Sequence, residues 1–377
     1  MKIALFGGSF DPVHNEHIEY IKAAKEALCL DKVIVIPSYL APHKAFGSVA
    51  SGGDRLNMCR LALADLDYAE VSDFELSRQE KSYSYITVEH FANLYEGSEL
   101  YFLVGADMLE DFFTWKNPER ILAAATLAAC GRGNESAKNT HRRFKERFHC
   151  DYTEIPFTGD MTSSTELRVR LAFGKETKGL DARVAEYIKK EQLYHYPEIA
   201  PALALEKEER KEHSFRVALM AVARARSLHV SESKALLAAA LHDCGKYVPL
   251  DSPLLKGFAL PDEVPAPVVH QYTGAYLAEH EFGIKDEEIL DAIRYHTSGR
   301  EDMTPLGKLI FLADMLESER SFEGIEELRN AFWRDIDECL LLCFERQNAY
   351  LSANQNKGSQ IYSLTKRAYN WLKNRIT

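Results

Sequence analysis

The chain has 377 residues, more than the ~100–200 that a single hydrophobic core ordinarily spans, so two domains are expected. Hydrophobic residues at 46% and charged residues at 27% are the proportions of an ordinary globular protein and exclude a disordered or fibrous one. A formal net charge of −11 repels polyanions; it excludes broad binding of polymeric nucleic acid but leaves room for small anionic substrates in local basic pockets.

In chain order, the first half alternates strand-like and helix-like runs. "KIALF", "KVIVIP", "AEVSDFEL", "ELYFLVG" and "TLAAC" read as strands. Between them "HIEYIKAAKEAL" and "DRLNMCRLALADL" carry helical periodicity. Such alternation predicts an α/β fold, a parallel sheet with helices on both faces. Ligands of these sheets bind beyond the carboxyl ends of the strands.

After Tyr194 the stretch "YHYPEIAPALALEKEERKEH" reads as a short connector with two prolines and a charged run. From there, helical periodicity continues to the end, through "FRVALMAVARARSL", "ESKALLAAALHDC", "PVVHQYTGAYLAEHEF", "DEEILDAIRYHT" and "PLGKLIFLADMLE" to two long helices near the carboxyl terminus. The second half is therefore expected to be all α.

The seven cysteines include no Cys-x-x-Cys pair and no zinc-finger spacing, which points to a reduced, cytoplasmic protein. Cys339 and Cys343, one helical turn apart, read as core residues. No basic-then-apolar leader is seen, and no apolar run approaches the ~20 residues of a bilayer span, so no membrane association is expected.

The opening "MKIALFGGSFDPVHNEH" carries the first chemistry. A strand ending at Phe6, a Gly7-Gly8 turn and a helix beginning near Asn15 would gather free N–H groups and a positive helix end at one point, which suits phosphate. His14 and His17 are spaced to project from the helix's first turn toward that anion. Donors of this kind can hold the charge that develops on departing pyrophosphate in nucleotidyl transfer. If the attacking group is itself a phosphate oxyanion, no enzymatic nucleophile is required. The competing reading is a plain strand–turn–helix with two solvated histidines.

With this long match, roughly the first 195 residues resemble the His-x-x-His nucleotidylyltransferases, most closely the bacterial nicotinate-mononucleotide adenylyltransferases. "APHK" supplies His43 and Lys44, "SYSYIT" resembles the family's Ser-Tyr-Thr segment, "LVGADML" and Trp115 match its Gly-Ala-Asp and Trp positions, and "SSTELR" resembles its Ser-Ser-Thr-x-Ile-Arg motif. The resemblance implies a Rossmann-like fold, with ATP, carried by Mg2+, and nicotinate mononucleotide as substrates. It implies catalytic roles for His14, His17, Lys44 and Arg168. Gly7, Gly8, Ser9, Phe10, Ser82, Thr87, Gly105, Asp107, Trp115, Arg132, Ser163, Ser164 and Thr165 are the implied substrate-binding residues. Trp115 reads either as core or as a stacking partner for a pyridine ring, and Asp107 either as a helix cap or as a ribose ligand. Two positions depart from the family: Glu16 stands where Gly is usual, adding negative charge beside the triphosphate, and Ile86 where Asp is common.

In the second half, His213, His242-Asp243, His270, His296 and Asp314 are each embedded in apolar helical sequence, where an unpaired polar group would cost ~1–3 kcal/mol. Shared metal ligation would satisfy them together. His229 and His280 lie in polar surroundings and read as surface residues. The set resembles the HD-domain metal phosphohydrolases, over about residues 205–345, and among them the bacterial enzymes that cleave diadenosine tetraphosphate symmetrically to two ADP. That resemblance implies a dinuclear iron or manganese centre with Asp243 as the bridge, His213, His242 and Asp314 on one ion, and His270 and His296 on the other. Lys246 reads as a catalytic phosphate-facing group or as a solvated lysine; Arg294, Arg300 and Arg320 are candidate phosphate clamps, and Glu317 a partner of a ligand.

The expected arrangement is an adenylyltransferase domain over 1–196 and an HD phosphohydrolase domain over 202–377. Two alternatives stay open: another acceptor, such as nicotinamide mononucleotide or phosphopantetheine, and a helical half that senses nucleotides without catalysis or acts on another nucleotide. Pairing of the helical half into a homodimer also stays open.

Overall fold

The apolar runs of the first half form strands buried on both faces. Ile3, Ala4 and Leu5 in β1 (Lys2–Gly8), and Val33, Ile34 and Ile36 in β2 (Lys32–Pro37), are closed to solvent. Burial this continuous is the mark of a parallel strand covered by helices above and below. The computed structural model describes residues 1–40, 49–131, 135–159, 162–353 and 361–376. With β3 (Ala69–Val71), β4 (Glu99–Val104), β5 (Thr126–Gly131) and β6 (Thr153–Pro156), the strands make one six-stranded sheet of order β3-β2-β1-β4-β5-β6. Every pairing is parallel. Chain order reverses between β1 and β4, so the crevice beyond the end of β1 is the topological switch point at which such sheets take ligands.

Two local readings are corrected. "AEVSDFEL" is not one strand: Ser72 Oγ accepts the Phe74 N–H at 3.2 Å, and Phe74–Arg78 turns into a short helix. The sheet also has a sixth strand, β6, for which the sequence reading has no counterpart; at four residues, the last a proline, it is too short to show a period of two.

Of the helices, α1 (Asn15–Leu28), α2 (Gly52–Ala62), α3 (Ser84–Leu94) and α4 (Ser164–Ala172) concern the first site. The second is built by α5 (Glu208–Ala225), α6 (Glu232–Leu241), α7 (Val269–His280), α8 (Glu287–Arg294) and α9 (Pro305–Leu316). The chain divides into two compact units, Met1–Arg168 with Glu176–Tyr194, and Val169–Lys175 with His195–Thr377. The division thus differs from an uninterrupted first domain in that Val169, closed to solvent, belongs to the helical core. That core is rich in alanine along α6, where Ala235, Ala238, Ala239 and Ala240 let neighbouring helices come close. Cys339 and Cys343 lie in it, as expected. No helix among the described residues is long and apolar enough to cross a membrane.

Candidate active sites

The loop after β1 is shaped by Phe10, whose backbone is left-handed (φ 48°) and whose ring is buried edge-on against Phe6 and His17, at centroid distances of 5.3 and 5.1 Å. A Cβ at Gly8 would lie 2.8 Å from that ring, so the second glycine is needed to let Phe10 fold back. Gly7 lies against the Phe102 ring. His14 precedes α1 as its N-cap, and its main-chain N–H donates to His17 Nδ1 at 3.2 Å. A neutral imidazole that accepts at one nitrogen carries its proton on the other, so His17 offers Nε2–H as a donor. The two rings sit 3.8 Å apart. Burial pushes His14 down to about 4 and His17 well below its ordinary value, so both are neutral at pH 7. Among the described residues, His14 Nδ1 is buried with no hydrogen-bond partner, which suits it to meet a ligand.

The start of α4 is tied to the same loop. Ser163 Oγ caps the helix by accepting the Glu166 N–H at 3.1 Å, Ser164 Oγ donates to the Pro12 carbonyl at 2.9 Å, and Arg168 donates to the Asp11 carbonyl at 2.5 Å and to Thr165 Oγ1 at 3.2 Å. Two helix N-termini therefore share one loop, and Arg168, buried, grips its main chain. Glu16 does not stand free beside an anion site: its carboxylate accepts the Thr162 N–H at 2.5 Å, just before the α4 cap. A Cβ at Gly159 would come within 2.6 Å of the same carboxylate.

Ser82 and Thr87 line one depression with Glu75, Arg78, Lys81 and Ile86. Ser82 Oγ accepts the Tyr39 N–H at 3.0 Å, and buried Thr87 donates to Glu75 at 2.6 Å. Trp115 is half-buried, packed against Phe102 and Phe112, and Gly105 is the N-cap of the helix Ala106–Asp111. Ser9 gives its carbonyl to Arg55 at 2.7 Å. Lys44 (with His43) and Arg132 lie outside the described residues, as does the side chain of Asp107.

Sequence reasoning missed two buried groups here, Asp11 and Arg55. Asp11 accepts N–H groups of Val49 and Ala50 at 2.7 and 3.1 Å and the Tyr194 hydroxyl at 2.7 Å, so it gathers two distant segments beneath the loop. Its place inside "GGSFDPVH" was the available signal; Arg55, in α2, had none.

In the helical unit the six predicted ligands converge. His213 Nε2 lies 2.9 Å from Asp314 Oδ1, His242 Nε2 3.5 Å from Asp243 Oδ2, and Asp243 Oδ1 3.2 and 3.7 Å from Nε2 of His270 and His296. His270 and His296 face each other through Nε2 at 3.1 Å. Two overlapping ligand sets emerge, His213–His242–Asp314 and His242–Asp243–His296.

Only three of the six ride within helices: His213 on α5, His270 on α7 and Asp314 on α9. This corrects the expectation of helical placement throughout. His242-Asp243 and His296 lie in the turns that follow α6 and α8, where one device recurs. His242 Nδ1 donates to the Ala239 carbonyl at 2.7 Å and His296 Nδ1 to the Ile293 carbonyl at 2.8 Å, each three residues back. Last-turn carbonyls lack helical partners. The histidines supply them and thereby fix their own tautomers, with the Nε2 lone pairs aimed at the centre. Among the described residues His242 Nε2 is buried with no hydrogen-bond partner, and Nε2 lone pairs that face carboxylate oxygens favour a cation between them; the donor set therefore fits divalent metal.

Glu317 orients His213, accepting at 3.1 Å from Nδ1, and is itself held by Arg216 Nε at 2.6 Å. Behind the turn, Gly245 is pressed on α7: a Cβ there would lie 2.4 Å from Gly274 N and 2.8 Å from the Thr273 carbonyl carbon. Lys246 contacts Asp243, and Arg320 contacts Asp314 at 2.8 Å. Arg300 is instead paired with Asp291 at 2.8 Å, and Arg294 is half-buried at the end of α8. Sequence reasoning missed Arg210, one turn before His213, with Nη1 3.0 Å from Asp243. His229 and His280 are exposed, as expected.

Comparison with known proteins falls on these same two regions. Residues 5–170 match the cytidylyltransferase-like family and residues 210–319 the HD domain, whose members hold divalent metal. A Mycoplasma genitalium protein named probable nicotinate-nucleotide adenylyltransferase/Ap4A hydrolase is 31% identical, over 86% of this chain and 91% of its own length. A Clostridium tetani protein named probable nicotinate-nucleotide adenylyltransferase is 37% identical over 51% of this chain and 98% of its own. An HD superfamily hydrolase from Clostridium acetobutylicum, described as involved in NAD metabolism, is 34% identical over 48% of this chain and 97% of its own, with a TM-score of 0.44. Similarity to the Mycoplasma protein runs through both halves, and the chain belongs to the family of fused nicotinate-nucleotide adenylyltransferase/Ap4A hydrolase proteins.

Proposed function

We propose that residues 1–196 transfer the adenylyl group of Mg2+-bound ATP to nicotinate mononucleotide, and that residues 202–377 hydrolyse diadenosine tetraphosphate to two ADP. The observation that carries this reading is the convergence of six ligand side chains from five segments, in a chain that aligns with a bifunctional relative through both halves.

In the transfer, a phosphate oxygen of the acceptor attacks the α-phosphorus of ATP, and the bond to the bridging oxygen breaks, releasing pyrophosphate with that oxygen. The attacking oxygen is already anionic, so the chain need supply no base. His17 donates Nε2–H to the departing charge; His14, with its orphaned ring nitrogen, and the main chain of Gly7–Phe10 complete the phosphate cradle. The caps at Ser163, Ser164 and Thr165 present the second helix end, with Lys44, Arg132 and Arg168 as counter-charges. Ser82, Thr87, Gly105, Asp107 and Trp115 hold the acceptor and the riboses.

In the hydrolysis, a water oxygen adds to one phosphorus of the central bridge, and the other ADP departs with the bridging oxygen. Two divalent ions, iron or manganese, would supply Lewis-acid activation of water and neutralise phosphoryl charge. His213, His242, Asp243, His270, His296 and Asp314 would hold them. Lys246 meets the phosphate oxygens. We read the protein as a cytoplasmic enzyme, with a homodimer as the assembly to be sought by light scattering.

Chromatography of products from the full chain tests both halves: nicotinate mononucleotide with Mg-ATP should give nicotinate adenine dinucleotide, and diadenosine tetraphosphate with iron or manganese should give ADP alone. ATP and AMP from the second reaction would overturn symmetric cleavage. Efficient turnover of nicotinamide mononucleotide or phosphopantetheine in place of the nicotinate acceptor would overturn the first assignment.

A further inference from the structure

Asp243 is almost wholly buried, yet its two oxygens carry two side-chain cations as well as facing three imidazoles. Lys246 Nζ lies 3.2 and 3.0 Å from Oδ1 and Oδ2, and Arg210 Nη1 3.0 Å from Oδ2. Nε2 atoms of His270, His242 and His296 approach the same oxygens at 3.2, 3.5 and 3.7 Å. A carboxylate has about four lone-pair directions in all. Two contacts from Lys246 and one from Arg210 already take three of them, and two divalent ions presented by the imidazoles would raise the demand to five, so these cations must give up contacts when metal binds. Arg210 has somewhere else to go. The Tyr247 side chain lies beside it, an exposed ring with Lys207 Nζ 4.6 Å from its centroid.

We propose that Arg210 and Lys246 are exchangeable counter-cations: they neutralise Asp243 before metal binds, then pass to the phosphate oxygens of the substrate once metal takes those oxygens. This deepens the hydrolase reading and rests on it, and it adds Arg210 to the groups that touch polyphosphate. The charge balance favours the exchange. Two dications against Asp243 and Asp314 leave a positive centre, which repels two further cations a few ångströms away. A tetraphosphate bridge brings that region back toward neutrality and offers paired oxygens, to which a planar guanidinium donates two parallel hydrogen bonds.

The test is the sign of a change in the full-length protein, freed of metal by chelation. Mn2+ binding is measured by calorimetry, and inorganic tripolyphosphate binding is then measured on the Mn2+-loaded protein. Arg210→Gln is expected to tighten Mn2+ about threefold to tenfold, because a competing cation is gone, and to weaken tripolyphosphate about tenfold. Arg210→Lys should restore both values in part. Lys246→Gln should show the same opposed pair of shifts, which guards against misfolding of a single variant. A residue that merely supports the centre would loosen both ligands. Unchanged or weaker Mn2+ binding in both neutral variants therefore overturns the proposal. Wild-type protein that binds Mn2+ but leaves diadenosine tetraphosphate intact would instead overturn the hydrolase reading, and the metal arm would still report on Arg210.

Discussion

The carboxylate of Glu16, on the first turn of α1, accepts the main-chain N–H of Thr162 at 2.5 Å, immediately before the serine cap of α4. A residue expected to burden the anion site with negative charge instead fastens one helix start to the other. The two descriptions predict opposite effects. If Glu16 acts as a latch, Glu16→Ala raises KM for ATP about threefold to tenfold, and Glu16→Gln, whose amide oxygen still accepts, stays near wild type. A lower KM in both variants would mean that charge repulsion is the dominant effect; steady-state kinetics at fixed nicotinate mononucleotide decides.

Gly159 faces the same carboxylate so closely that an added Cβ would meet it at 2.6 Å. Gly159→Ala should therefore displace the latch and raise KM for ATP. Combined with Glu16→Ala, its effect should shrink, because the group it collides with is gone. A double-mutant cycle on KM measures the coupling, and strict additivity would separate the two residues.

Stability should depend on pH through His14. Its ordinary value is 6.5 and burial lowers it to about 4, so between these values the unfolded chain binds more protons than the folded one. Stability contributed by the neutral, buried ring is complete above pH 6.5 and is lost as pH falls toward 4, by up to about 3 kcal/mol. Denaturant unfolding at pH 7.5 and pH 5, comparing wild type with His14→Asn, should show the steeper acid loss in the wild type. Bound ATP should lessen that loss, since a polyanion favours the charged ring.

Among the described residues, Glu317 meets the candidate metal ligands through His213 Nδ1 and is braced by Arg216. Glu317→Gln should weaken metal affinity about 10-fold to 100-fold, with the helical fold intact by circular dichroism. Adenylyl transfer should be unchanged, because His14 and His17 lie in the other compact unit. Metal content by elemental analysis, across a chelator series, reads the effect directly.

Much of both sites is legible in the sequence because their residues lie in short runs with fixed spacing. The stretch from Gly7 to His17 is one strand end, one loop and one helix start, and "SSTELR" carries its own cap. The candidate metal ligands are legible for a different reason: histidines and aspartates amid alanine and leucine have few other ways to be satisfied. What escapes is long-range. Asp11 bonds Val49, Ala50 and Tyr194, and no local pattern announces partners so distant. Arg210 looks like one more charge in "EKEERKEH", and only folding brings it to Asp243. The strand at Thr153–Pro156 pairs at the sheet edge with β5, and its identity comes from that partner rather than from its own four side chains.

Gly245 and the main chain of Thr273 and Gly274 meet with no room for a single extra carbon. The span between the His242-Asp243 turn and His270 is thus ruled by peptide units in contact, a gauge machined before any ion arrives. A bound ion would meet a spacing set by main chain against main chain. A methyl group at residue 245 should consequently alter which ionic radius the pocket prefers while every coordinating atom stays chemically the same.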